Sequence, residues 1–187
     1  MKLHFLICAL LLIAPSAAAD PAAAWAALRQ GGHVALMRHA DAPGGAGDPP
    51  GFRLDDCATQ RNLSPKGRVE AAAAGAKLKA QGVTVAKVLS SPWCRCLDTA
   101  RLMDVGPVEI EEAFGNAFVL RDRRDALAAG ARAVIDAWRG GTLLVVTHGA
   151  NIQALTGINP ASGEIVVVAP GGGGPLVAVG RIPPPDL

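Results

Sequence analysis

Apolar residues along the chain fall into two spacings: short unbroken runs, and longer stretches in which they recur on one face. The runs His33 to Met37 and Thr142 to Thr147, and the stretches Val85 to Leu89 and Val108 to Ile110, which Lys87 and Glu109 interrupt, read as strands. Helix-length stretches lie between them, each with start and stop signals. Asp20 caps and Pro21 opens a helix over Ala22 to Gln30, halted by Gly31-Gly32. Ser64-Pro65 starts a helix that runs to about Ala80, with Gly82 as its stop. Pro92 to Met103, Asp122 to Arg139 (ended by Gly140-Gly141) and Ala150 to Thr156 complete the helical set. Glu164 to Ala169 and Leu176 to Gly180, joined by four glycines, predict a closing hairpin. Strands alternating with helices predict an α/β fold, a three-layer α/β/α sandwich around a mostly parallel, doubly wound sheet.

The ends of two strands carry the chemistry. Arg38-His39 stands where the first run stops and a stretch dense in Gly, Pro and Asp (residues 41–60) begins; long loops in compact domains are usually functional or disordered, and this one adjoins His39. His148-Gly149 follows the Thr142 to Thr147 run in the same way. In open α/β sheets, active sites form beyond the carboxyl ends of the strands. Arg95 lies just past Ser90-Ser91-Pro92, at the start of a helix, and Arg61 precedes the Ser64 cap as a further phosphate or substrate contact. Guanidinium forks match phosphoryl oxygens, and neutral imidazole is a nucleophile near neutral pH. Two histidines and two arginines at one point suit phosphoryl transfer through a phosphohistidine. His33 opens its strand at the opposite end and reads as structural, while Asp41 and Asp48 either line the pocket mouth or serve as solvated or capping loop residues.

Composition narrows the partners. Of 187 residues half are apolar, enough for a real core, although much of that share is alanine. Lys2, the apolar stretch Phe5 to Ala14 and Ala17-Ala18-Ala19 have the pattern of a secretory signal, so residues 1–19 are expected to be removed, leaving one domain over 20–187. Without Lys2, 17 basic residues face 16 acidic ones, which gives no basic patch for nucleic acid. No later segment is apolar enough to enter a membrane, and a periplasmic or secreted location is expected. In an oxidising compartment Cys57, Cys94 and Cys96 leave one thiol over; Cys94 and Cys96 are too close on a helix to bond each other comfortably, so Cys57–Cys94 is the first choice, with three buried thiols as the alternative. The glycines at 171–174 lack the Lys-Ser/Thr of a P-loop.

Four segments resemble the histidine phosphatase (phosphoglycerate mutase-like) superfamily in the order of its motifs. They are Leu36-Met37-Arg38-His39-Ala40, with Ala40 where the family has glycine; Asn62-Leu63-Ser64-Pro65-Lys66-Gly67; Ser90-Ser91-Pro92-Trp93-Cys94-Arg95 with Thr99-Ala100; and Val145-Val146-Thr147-His148-Gly149. The segments around Asp56 to Leu63 and Ser162 to Val166 are similar to small exported members related to lipopolysaccharide core heptose phosphatases. The resemblance implies a phosphoglycerate mutase-like fold, His39 and His148 as catalytic residues, and phosphate held by Arg38 and Arg95. It also implies a general acid. Gly149 excludes an aspartate after the second histidine, and Glu111 has a spacing similar to that of the mutase-type glutamate, with Glu109, Glu112 and Asp41 as alternatives. Glu164 is either near the pocket rim or a strand-edge carboxylate.

The resulting expectation is a phosphomonoesterase needing neither metal nor cofactor, acting on a small phosphorylated substrate such as a phosphorylated sugar of the cell envelope. A phosphohistidine protein phosphatase, a mutase and a non-catalytic phosphate-binding protein are the alternatives. A metal site built from the two histidines is disfavoured, because neighbouring arginines repel a cation. The oligomeric state is open.

Overall fold

The computed structural model describes residues 20–45, 47–171 and 176–187. The expected signal segment and the glycines at 172–174 lie outside the described residues. Among the described residues six strands and five α-helices follow one another as α1 (Pro21–Gln30), β1 (Val34–Arg38), α2 (Pro65–Ala80), β2 (Val85–Ser90), α3 (Cys94–Met103), β3 (Val108–Ile110), α4 (Arg124–Ala137), β4 (Thr142–Thr147), α5 (Gly149–Thr156), β5 (Ile165–Val168) and β6 (Ala178–Ile182). The strands form one sheet in the order β3-β2-β4-β1-β5-β6. The first four are mutually parallel; β5 runs antiparallel to β1, and β6 antiparallel to β5.

Side chains alternate across the pleat and divide the core into two layers. Ala35 and Met37 of β1, with Leu144 and Val146 of β4, face α1, α2 and α3. Val34, Leu36, Leu143 and Val145 face α4 and α5. The central strands are therefore apolar on both sides, as their unbroken runs require. The chain travels from β1 outward to β3 over one face and returns to β4 over the other. Neighbouring strands β1 and β4 consequently send their outgoing loops to opposite faces, and a crevice opens between them.

Several boundaries differ from the sequence reading. Residues 121–123 form a 3-10 turn, so α4 begins at Arg124 rather than Asp122. Its C-terminal end comes at Ala137 because Trp138 turns extended and donates its indole N–H to Gly141 O at 2.7 Å. The last strand lies two residues later than expected, since Val-Ala-Val alternation suits either position and the pairing of Val167 with Gly180 and Val166 with Arg181 fixes it. At Gly31 and Gly32 the stop of α1 is as read, with Asp20 accepting from Ala22 N at 2.8 Å.

Two helical glycines explain local sequence that propensity alone disfavours. A Cβ at Gly67 would lie 2.1 Å from Asp41 O, so this glycine lets α2 press on the loop that leaves β1. A Cβ at Gly75 would lie 1.9 Å from Met103 O, where α2 crosses α3. In an isolated helix Gly→Ala gains about 1 kcal/mol. Here the clash is with backbone and cannot be relieved by a rotamer change. Gly75→Ala is expected to lower stability by about 1–3 kcal/mol, the usual cost of overpacking, measured as a lower urea midpoint at unchanged m-value.

Candidate active site

Parallel pairing of Arg38 with Thr147 brings the ends of β1 and β4 together. His39 N donates to Thr147 O at 3.0 Å, and the rings of His39 and His148 meet edge to face with centroids 5.6 Å apart. Both side chains are almost fully buried. Beside them opens a cleft of about 450 Å³ lined by Arg38, His39, Arg61, His148 and the first residues of α5, Gly149 and Ala150. Gly45 and Gly47 from the loop after β1, and Asn116 and Phe118 from the segment after β3, close its sides.

Partners fix the state of His39. His39 Nδ1–H donates to Ala40 O at 2.9 Å, which leaves Nε2 unprotonated and its lone pair an acceptor. Arg95 Nε donates to that Nε2 at 3.3 Å. Burial, assisted by the charges of Arg95, Arg61 and Arg38 and opposed by the Ala40 hydrogen bond, lowers the His39 pKa to about 3, so the imidazole stays neutral. His148 is held neutral too, mainly by burial and then by Arg95 and His39. Its Nδ1 accepts from Arg95 Nη2 at 3.4 Å, so Nε2–H donates to Ser91 Oγ at 2.8 Å. The Cys96 thiol lies 3.5 Å from the same Nε2; burial pushes its pKa up to about 12 and keeps it protonated.

Anion-seeking groups surround the imidazoles. Arg38 donates through Nη1 to Pro160 O at 2.9 Å, but its Nε is buried without a partner. An ideal Cβ on Gly149 would sit 3.5 Å from that Nε, which places the donor beside the amino end of α5, where unpaired backbone N–H groups favour an anion. Arg61 spans the loop, donating to Gly47 O at 2.9 Å and to Ala42 O. Fully buried Arg95 touches both histidines and bonds Asp48, with Nη1 to Oδ1 at 2.7 Å and Nη2 to Oδ2 at 3.2 Å. Among the described residues no group of three His, Cys, Asp or Glu side chains could hold a metal ion.

The motif residues around the site have structural tasks that spacing did not reveal. Thr99 accepts from Ala40 N at 3.1 Å and donates to Arg95 O at 2.7 Å, anchoring the residue whose carbonyl sets the His39 tautomer. Ser64 caps α2 by accepting from Gly67 N at 2.8 Å and donates to Asp41 Oδ2 at 2.5 Å. Ala40 substitutes for the family glycine without strain, since its backbone is not in the left-handed region. A disulfide joins Cys57 and Cys94, the pairing expected first, and ties the loop to the start of α3; Cys96 is the free thiol. Asn116, Phe118, Gln153 and Asn159 line the cleft and carried no sequence signal beyond lying in segments near the site.

Carboxylates expected at the pocket are elsewhere. Glu111 is not among the cleft residues: it caps the 3-10 turn Glu112–Phe114, accepting from Ala113 N at 3.1 Å, because β3 is the sheet edge and two strands separate it from β1. Glu109 pairs with Lys87 at 2.8 Å and Glu112 lies within the turn. Asp41 accepts from Ser64, and Glu164 bonds Arg181 and Ala161 N. His33 bonds Gly31 O at 2.8 Å and is structural, as read. No carboxylate lines the cleft among the described residues.

Residues 34–118 match the model of the histidine phosphatase superfamily, branch 1, a span that holds His39, Arg61 and Arg95 and ends before His148. No curated protein matches the chain in sequence. Among solved structures, the protein histidine phosphatase SixA complexed with tungstate is 20% identical, with a TM-score of 0.58 over 81% of this chain and 96% of that one. A phosphoserine phosphatase of Entamoeba histolytica, in complex with 3-phosphoglyceric acid, is 16% identical with a TM-score of 0.58, over 80% of this chain and 95% of its own. A mycobacterial glucosyl-3-phosphoglycerate phosphatase is 17% identical with a TM-score of 0.54, over 74% of this chain and 90% of its own. Fold, site and family model define a phosphoric monoester hydrolase. The match to the histidine phosphatase superfamily covers residues 34–118, a little under half of the chain.

Neutral buried histidines have a consequence for stability. Their folded pKa values lie below the ordinary value of 6.5, so the unfolded chain takes up protons that the folded chain refuses as the pH falls. Their contribution to stability is therefore present above about pH 6.5 and is lost progressively towards pH 3. The urea midpoint is expected to be lower at pH 5.5 than at pH 7.5, and His39→Gln or His148→Gln should reduce that difference.

Proposed function

We propose that this chain is a metal-independent phosphatase that works through a phosphohistidine on His39. The observation that carries this reading is an unprotonated His39 Nε2 beside Arg95, with the partnerless Nε of Arg38 on the same cleft. A phosphoryl group seated there displaces the Arg95 Nε contact from His39 Nε2, which is then in line for attack on phosphorus; Arg38 and the freed Arg95 Nε hold equatorial oxygens, and His148 joins them by giving up its Nε2–H bond to Ser91. The N–P bond forms as the bond to the leaving group breaks, and the leaving atom keeps the electron pair. Water then cleaves the N–P bond and releases phosphate. Three arginines around the phosphoryl position disfavour a divalent cation.

An export signal in residues 1–19 and the Cys57–Cys94 disulfide support a periplasmic or secreted enzyme. The amides of Asn116, Gln153 and Asn159 on the cleft suit sugar hydroxyls, which supports a phosphorylated envelope sugar as substrate and kinship with the heptose phosphatases. One observation favours a second reading. With no carboxylate lining the cleft among the described residues, a leaving alkoxide would take its proton from solvent, whereas the imidazole of a phosphohistidine departs more readily; a phosphorylated histidine side chain fits that chemistry.

His39→Ala should abolish turnover with the fold intact, and rapid quench of the wild type should trap an acid-labile, base-stable phosphoenzyme; tungstate should inhibit and chelators should not. A panel of sugar phosphates, aryl phosphates and phosphohistidine separates the two substrate classes, and tungstate binding without turnover on any of them would mark a binding protein. Removing a general acid slows alkyl phosphates by about 10²-fold or more while sparing aryl phosphates. Because Glu111 caps a turn, Glu111→Gln is expected to affect both classes alike, read as the ratio of their kcat/KM values.

A further inference from the structure

Asp48 stands on the glycine-rich loop after β1, yet its side chain is completely buried, as is that of Arg95. Each carboxylate oxygen takes two hydrogen bonds. Oδ1 accepts from Arg95 Nη1 at 2.7 Å and from Arg61 N at 3.1 Å. Oδ2 accepts from Trp93 Nε1 at 3.0 Å and from Arg95 Nη2 at 3.2 Å. A loop aspartate that only caps a turn does not leave solvent, and a buried carboxylate with a full set of donors marks a position where its charge is used.

The edge of the guanidinium that Asp48 takes is the informative point. Bonding Nη1 and Nη2 occupies the far end of the Arg95 fork. The edge carrying Nε and Nη2 is then turned to the two imidazoles, at 3.3 Å from His39 Nε2 and 3.4 Å from His148 Nδ1. Without Asp48 the fork keeps only Arg61 O, at 3.3 Å from Nη1, and the two long imidazole contacts to hold this edge in place. The same carboxylate offsets one of the three arginine charges crowded around the histidines, and through Arg61 N it fixes the residue that lines the cleft. Trp93, its remaining partner, packs edge to face on His148 with centroids 5.4 Å apart.

We infer that Asp48 is a positioning residue of the phosphoryl site: it touches no substrate, and acts by holding the Nε/Nη2 edge of Arg95 towards the reacting phosphorus. The inference rests on the phosphatase reading above, and it assigns to the loop after β1 a share in catalysis beyond forming the rim.

A double-mutant cycle tests it. Asp48→Asn keeps the shape and removes the charge. If it acts through Arg95, kcat should fall on the order of 10²-fold, the scale of losing one oriented transition-state contact, with KM changed much less and tungstate binding weakened in proportion. In an Arg95→Ala background the same substitution should cost almost nothing. Equal losses in both backgrounds, or a loss confined to KM, would overturn the proposal. Asp48→Glu, which retains the charge, provides a second variant should Asp48→Asn fold poorly; it should recover part of kcat, and no recovery in a folded protein counts against the proposal. Tungstate affinity read by calorimetry follows the same cycle independently of turnover. A wild-type chain that neither hydrolyses the substrate panel nor binds tungstate would instead bring down the phosphatase reading, and this one with it.

Discussion

Everything at the site depends on the parallel register of β1 against β4. Because Arg38 lies opposite Thr147, the next residue of each strand is a histidine, and the two imidazoles emerge at the same height at the carboxyl end of the central strands. A slip of one residue would turn Arg38 and His39 to opposite faces and separate the rings. Apolar packing on both sides of the strands enforces the register, since Met37 and Val146 belong to one layer and Leu36 and Val145 to the other. Core packing thus sets catalytic geometry. The opposite exits of the two outgoing loops keep the crevice open for a ligand.

Burying this much positive charge has to be compensated. Arg95 and both histidines are almost entirely out of water, and isolated ions in such surroundings cost several kcal/mol each. The structure meets the problem in two ways. The histidines stay neutral, and Arg95 is matched by Asp48 with every carboxylate oxygen satisfied. Removing one member of such a pair typically costs about 3–5 kcal/mol. The loop after β1 is thereby anchored from within, by an ion pair and a disulfide, although its surface is rich in glycine and proline. Arg38 Nε, beside Gly149 at the start of α5, is buried with no partner among the described residues, and a buried unpaired donor at the amino end of a helix suits an anion.

The order of strands and helices, the caps of α1 and α2, the strand-end histidines and the arginines at 38 and 95 could all be read along the chain, because each depends on local periodicity or on residue types next to a strand end. The Cys57–Cys94 pairing was narrowed by helix geometry and then formed as expected. What tertiary structure decided are contacts between segments far apart in sequence. Glu111 and Asp48 show why. Both are carboxylates near predicted elements, and the family resemblance favoured Glu111 for the site; but β3 is the sheet edge, so Glu111 turns back to cap its own 3-10 turn, whereas the loop bearing Asp48 folds inward over α3. Sequence spacing fixes which face or end of an element a residue occupies. Which carboxylate meets which guanidinium depends on strand order and loop path, and these are set by the packing of the whole sheet.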